Sequence, residues 1–206
     1  MEIKLFNTGI YDVNTYLVFD EKSKEAVIID LGGKSPELVD EIKKNNLKIK
    51  YILNTHGHFD HISGELDFQN NYNVPVYAHK EDLELINNLE IILKMMGAPI
   101  QKPPKITNFL DENSDLSIGD TKITVIETPG HTKGGVSLLI GENLFSGDTL
   151  FLESVGRTDF PGGSFDKIKS SIKDKLFKLP DTTKVYPGHG PSTQIGHEKL
   201  YNSFVI

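Results

Sequence analysis

A run of six residues, His56-Gly57-His58-Phe59-Asp60-His61, constrains this chain more than any other feature. It follows directly on the apolar stretch Ile49 to Asn54, which reads as a strand. In extended chain, residues two apart point the same way, so His56 and His58 face one point together. Asp60 and His61 continue into the turn and face a second point nearby. Three imidazoles and a carboxylate at this density suit zinc, and iron or manganese almost as well. A fold that accepts this run must place it at a strand end, with room for an ion and further ligands delivered from elsewhere.

Those further ligands occur in one recurring setting. His131 follows Thr128-Pro129-Gly130, past the predicted strand Lys122 to Glu127. Asp148 follows Ser146-Gly147, past Asn143 to Phe145, and His189 follows Pro187-Gly188, past Lys184 to Tyr186. Asp30 ends the strand Ala26 to Asp30, ahead of Gly32-Gly33. Each sits beyond the C-terminal end of a strand with glycine beside or near it, where the backbone turns sharply and sets a side chain over the sheet edge.

The rest of the chain supplies the frame. Glu2 to Asn7, Thr15 to Phe19, Val74 to Ala78, Asp115 to Ile118 and Val136 to Ile140 also read as strands. Ser35-Pro36 opens a helix, as an N-cap followed by the residue suited to the first helical position. Ile62 to Asn70, Lys80 to Met96 and Phe165 to Leu179 are the other predicted helices. Gly97 to Lys105 holds three of the ten prolines and reads as a loop. Strand-rich halves with interspersed helices predict an α/β chain of two packed sheets with helices outside, a single domain over 1–206.

Composition narrows the function classes. There is no cysteine, so thiolate metal sites, disulfides and a cysteine nucleophile are excluded. The net charge of −7, with scattered lysines, argues against nucleic acid as a partner. No apolar stretch approaches the ~20 residues of a membrane span, and no secretory signal is visible, so a cytoplasmic location is expected. Gly33-Lys34-Ser35 imitates the end of a phosphate-binding loop, but the required earlier glycine falls at Ile28 inside a strand. His79 reads as an ordinary partly exposed histidine, His197 as structural, and Met95-Met96 as core.

The strings Thr55-His56-Gly57-His58-Phe59-Asp60-His61, Thr128-Pro129-Gly130-His131-Thr132, Phe145-Ser146-Gly147-Asp148-Thr149-Leu150-Phe151, Gly156-Arg157-Thr158-Asp159 and Tyr186-Pro187-Gly188-His189-Gly190 together resemble the metallo-β-lactamase superfamily. Within it they look like the short glyoxalase II-like hydrolases. The resemblance implies a four-layer αββα sandwich with two divalent metal ions, zinc first and iron or manganese as alternatives. It implies that His56, His58 and His131 hold one ion, that Asp60, His61 and His189 hold the other, and that Asp148 bridges them. Asp60 and Asp148 are then the catalytic carboxylates, Asp30 orients a ligand histidine, and Arg157 is a candidate contact for a substrate carboxylate. The implied reaction is hydrolysis of a small acyl thioester such as S-lactoylglutathione. A mononuclear iron persulfide dioxygenase of the same superfamily is the main rival, with a nuclease or a binding module behind it. The sequence leaves the oligomeric state open.

Overall fold

A computed structural model describes all residues from Met1 to Ile206. The chain opens with β1 (Glu2–Thr8), β2 (Val13–Phe19), β3 (Glu25–Ile29), helix α1 (Pro36–Lys44) and β4 (Lys48–Leu53). Short helices α2 (Phe59–Ile62) and α3 (Glu65–Tyr72) follow, then β5 (Val76–Ala78), α4 (Leu83–Asn87), α5 (Leu89–Met95) and β6 (Ile106–Phe109). The second half runs β7 (Leu116–Ile118), β8 (Thr121–Glu127), β9 (Val136–Ile140), β10 (Asn143–Gly147), β11 (Leu150–Phe151), β12 (Ser154–Val155) and α6 (Phe165–Ser170). It closes with β13 (Lys184–Pro187), β14 (Thr193–Gln194) and α7 (Ile195–Tyr201).

Twelve of the strands form two six-stranded sheets, ordered β1-β2-β3-β4-β5-β6 and β14-β13-β10-β9-β8-β7, and β11 pairs with β12 in a small hairpin. The inner faces meet in a core of Tyr16, Val18, Val27, Ile29 and Leu53 against Ile123, Val125, Leu138, Ile140 and Phe145. The outer face of the first sheet buries Leu17, Ala26 and Ile28 against Leu38, Ile42 and Phe68 of α1 and α3. Leu144 and Val185 on the outer face of the second sheet pack on Ile168, Ile172, Leu176 and Ile195. This is the expected αββα sandwich. It also explains why β2 is buried at all seven positions and shows no polar alternation: a strand covered on both faces has no solvent side.

Strand direction creates the rim. β3 and β4 are parallel, as are β10 and β13, while β8 runs antiparallel to β9 and β9 antiparallel to β10. Two inversions make β8 parallel to β10. Within each sheet, the strands preceding the candidate ligands therefore deliver their C-terminal ends on the same side.

Four expectations need correction. The helix predicted over Ile62 to Asn70 is interrupted at Ser63-Gly64, between α2 and α3. The helix predicted over Lys80 to Met96 is broken into a 3₁₀ turn at Lys80–Asp82, then α4 and α5, with Asn88 between the last two. The apolar period runs on through the breaks, so pattern alone cannot register them. Phe165 to Leu179 likewise changes hydrogen-bond spacing, from α6 to a π-type turn at Ser171–Lys175 and a 3₁₀ turn at Leu176–Lys178. Met95 is 83% exposed and Met96 43% exposed, so neither is core.

Phe145 is fully buried, stacked on Tyr186 at 5.3 Å and edge-on to Tyr16 at 5.1 Å. Phe145→Ala is expected to lower stability by ~3–5 kcal/mol. Urea unfolding should show a reduced midpoint with an unchanged slope.

Candidate metal centre

The site begins with a buried carboxylate. Asp30 ends β3 in left-handed backbone geometry (φ 54°) and is 2% exposed. It accepts from Thr55 N at 2.8 Å, from Thr55 Oγ1 at 2.7 Å and from His61 Nδ1 at 2.9 Å. The first two bonds hold the chain leaving β4, and the third fixes the His61 ring. With Nδ1 of His61 turned to Asp30, Nε2 is the nitrogen that faces the centre of the site. That atom is buried and has no hydrogen-bond partner.

His131 is held in the same sense from the second sheet. Its Nδ1 donates to the Arg157 carbonyl at 2.7 Å, which leaves Nε2 as the lone-pair nitrogen. This Nε2 stands 2.9 Å from His58 Nδ1. His56 completes a triangle: its ring lies 4.9 Å from that of His58 and 4.8 Å from that of His131, centroid to centroid, and its buried Nε2 also lacks a partner.

Asp148 lies between this group and a second one. Its Oδ1 is 3.5 Å from His61 Nε2, and its Oδ2 is 3.6 Å from His131 Nε2 and 3.8 Å from His189 Nε2. Asp148 Oδ1 is buried without a partner as well. On the far side, Asp60 Oδ2 lies 3.2 Å from His189 Nε2 and 3.8 Å from His61 Nε2. Gly188 makes room for this: a Cβ there would collide with Asp148 Oδ1 and stand 2.6 Å from His61 Cε1.

Ligand atoms thus gather as His56-His58-His131 and as Asp60-His61-His189, each set within 4.8 Å. Asp30, His56 and His61 make a third geometric group. The three donors on Asp30 already occupy its carboxylate, so Asp30 is placed to orient its neighbours. Buried nitrogen and oxygen atoms without partners are rare in native structures, and three of them face one space here. Imidazole and carboxylate donors in two sets fit a pair of divalent ions.

Electrostatics follow from the crowding. Burial, reinforced by the other imidazoles, pushes His56 well below the usual histidine value. His58 falls to about 3, through burial first and the facing His131 second. Burial also disfavours charge on His61, but Asp148, Asp30 and Asp60 outweigh it and raise it to about 10. Burial works to raise Asp60, yet His61 and His189 more than offset it and hold it below the carboxylate range. The cluster is a field of opposed charges around a central space.

A cleft of about 480 Å³ opens over these groups, walled by Tyr11, Phe59, Met96 and Phe160. Arg157 is the one lysine or arginine lining it. Its guanidinium is held by Asp159 through bonds of 2.8 and 2.7 Å and lies 3.8 Å over the Phe160 ring. Sequence reasoning missed the three aromatic walls, whose residues come from a turn after β1, the histidine loop and the loop before α6. It missed two buried carboxyls as well. Glu65 is fully buried beneath the ligand loop, and burial raises it well above the usual carboxylate value. Asp82 stands between the loops that carry His56, His58 and His131. His79 is buried, 3.5 Å from Glu127, and His197 pairs with Glu153 at 2.9 Å.

The metallo-β-lactamase superfamily model matches residues 8–189. A hydroxyacylglutathione hydrolase, GloC, of Haemophilus influenzae is 33% identical over 214 residues, covering 100% of this chain and 98% of its own. The crystal structure of the B3 metallo-β-lactamase BLEG-1 is 36% identical, with a TM-score of 0.90 and coverage of 99% of both chains. That of TTHA1623 in a di-iron-bound form is 36% identical, with a TM-score of 0.88 and coverage of 98% of this chain and 99% of that one.

Asp30→Asn places an amide N–H against one of three donors. It is expected to weaken metal binding by ~10–100-fold, as loss of an orienting partner does. Competition with a chromophoric chelator measures this, and an unaltered affinity would refute the orienting role.

Proposed function

This chain belongs to the metallo-β-lactamase superfamily, and from that premise we propose that it is a dinuclear metal-dependent hydrolase of acyl thioesters. The observation that carries the reading is the Asp148 carboxylate, set between two groups of candidate ligand atoms in which His56 Nε2 and His61 Nε2 are buried without a partner. His56, His58 and His131 would hold one ion, Asp60, His61 and His189 the other, with Asp148 shared. When bound, the ions would supply hydroxide at neutral pH, lowering the pKa of water from ~15.7 toward ~7, and an electrophile for the carbonyl oxygen.

The chain's own residues do the rest. Asp30 and the Arg157 carbonyl hold His61 and His131 in the tautomers that direct Nε2 inward. Tyr11, Phe59, Met96 and Phe160 give the cleft apolar walls that exclude water and accept the hydrocarbon part of an acyl group. Both aspartates lining the cleft, Asp60 and Asp148, belong to the ligand sets, so neither is spare as a general acid. That suits a thioester: a thiol of pKa ~8.5 departs as thiolate with little protonation. An amide leaving group would need a proton donor. Arg157 is the group at the rim for an anionic substrate, and a carboxylate there would compete with Asp159 for the guanidinium.

Zinc is the ion proposed first, with iron as the alternative that the di-iron relative makes concrete. The name of GloC supports thioesters as the substrate class. The test is elemental analysis of purified protein alongside a panel of acyl thioesters that includes S-lactoylglutathione. Two ions per chain and thioester turnover are expected. His58→Ala or Asp148→Ala should each reduce turnover by at least ~100-fold, the upper range for loss of even an orienting partner, and reduce bound metal. One iron per chain with oxygen uptake on glutathione persulfide would overturn the reading in favour of the dioxygenase. Turnover of a β-lactam with none of a thioester would overturn it in favour of a lactamase.

A further inference from the structure

Asp82 ends the 3₁₀ turn after β5 and is 1% exposed. Its carboxylate accepts three neutral donors: Gly57 N at 2.9 Å and Thr132 Oγ1 at 2.7 Å on Oδ2, and Gly134 N at 2.7 Å on Oδ1. Gly57 stands between His56 and His58, on the first sheet's loop. Thr132 and Gly134 follow His131, on the second sheet's loop. One carboxylate therefore ties together the two segments that must converge to form the His56-His58-His131 set.

The approach is close enough to require glycine on both sides. A Cβ at position 57 would stand 3.0 Å from Asp82 Cβ and from its carbonyl oxygen. A Cβ at position 134 would stand 2.9 Å from Asp82 N and Cγ. A backbone bond from Val136 N to Thr55 O, 2.8 Å, joins the same two loops nearby, but it holds neither His58 nor His131 directly. The Asp82 donors are the bonds adjacent to those ligands.

We infer that Asp82 is a positioning residue that sets the spacing of His56 and His58 relative to His131, and through it the affinity of that ligand set for its metal ion. The inference rests on the metal-site reading above. It makes a prediction that a general structural tie does not: the two ions respond differently. Asp82 makes no bond to Asp60, His61 or His189, and His61 is held by Asp30, so their ion depends less on Asp82 than the other does.

Asp82→Asn is the sharpest probe. An asparagine has one acceptor oxygen, while two backbone N–H groups approach opposite oxygens of Asp82. Either amide orientation sets an N–H against an N–H, and one loop is released. Thr132→Val is the milder companion, removing one donor with almost no change in shape. Zinc affinity is measured by chelator competition on wild-type protein, on both variants, on His189→Ala and on Asp82→Asn combined with His189→Ala, with thermal melts in parallel.

Asp82→Asn is expected to weaken one of two zinc ions by ~10–100-fold and leave the other in place. Thr132→Val should weaken the same ion by less. In the His189→Ala background, where the Asp60-His61 side is impaired, Asp82→Asn should abolish the remaining tight zinc. A lower melting point with both affinities unchanged, or equal weakening of both ions, would overturn the inference. If Asp82→Asn does not fold, an unchanged zinc affinity in Thr132→Val overturns it instead. Wild-type protein that binds no zinc or other divalent ion would bring down the metal-site reading, and the inference with it, whereas two ions with unchanged affinities in the variants would bring down the inference alone.

Discussion

Buried imidazole and carboxylate atoms crowded together, several of them without a partner, are the constraint on which this structure turns. The His56 ring lies 4.1 Å from that of His61, and His58 Nδ1 meets His131 Nε2 at 2.9 Å. Each buried polar atom left without a partner costs ~1–3 kcal/mol, and His56, His61 and Asp148 all contribute one. Left to relax, the loops would separate and hydrate these atoms. The scaffold must therefore hold the loops closed.

It does so by joining the sheets at the ligand end. Asn14 donates from its side chain to the carbonyls of Pro187 and Gly190, and from its backbone to that of Gly188. Tyr16 OH donates to Pro187 O at 2.7 Å. The start of β2 thereby grips the loop that carries His189. Asp30 ties the end of β3 to Thr55 and His61, and Asp82 ties the histidine loop to the segment after His131. The two buried carboxylates act at different places: Asp30 holds His61 and, through Thr55, the start of the histidine loop, and Asp82 holds Gly57 and the segment after His131. Each accepts three bonds from the loops it joins, which fixes its position.

The legibility of these features in the sequence differs for physical reasons. His56, His58, Asp60 and His61 are adjacent in the chain, and His131, Asp148 and His189 each follow a glycine at a strand end, so local pattern exposes them. Asp82 is visible only as an acidic residue in a helical-looking stretch from Lys80 to Met96. Its meaning depends on Gly57 and on Thr132 and Gly134, 25, 50 and 52 residues away in the chain. β6 follows the proline-rich loop and pairs with β5 at the sheet's edge. Its four residues are half-buried or exposed, which removes the alternation that would mark it. The α7 helix is short, and it packs mainly through Ile195, so its apolar period is faint.

The sequence by itself determined the inventory of candidate ligands, the order of the strands along the chain and the sharp turns at their ends, because residue type and short spacing govern all three. The family resemblance carried by those residues made a metal pair the chemistry to look for. Only the tertiary structure decided which faces meet, how Asp148 comes to lie between the two ligand sets, and which apolar side chains wall the cleft. Tyr11, Phe59, Met96 and Phe160 are distant in sequence and share no local pattern. They converge because two twisted sheets, packed face to face, bring unrelated loops to one rim.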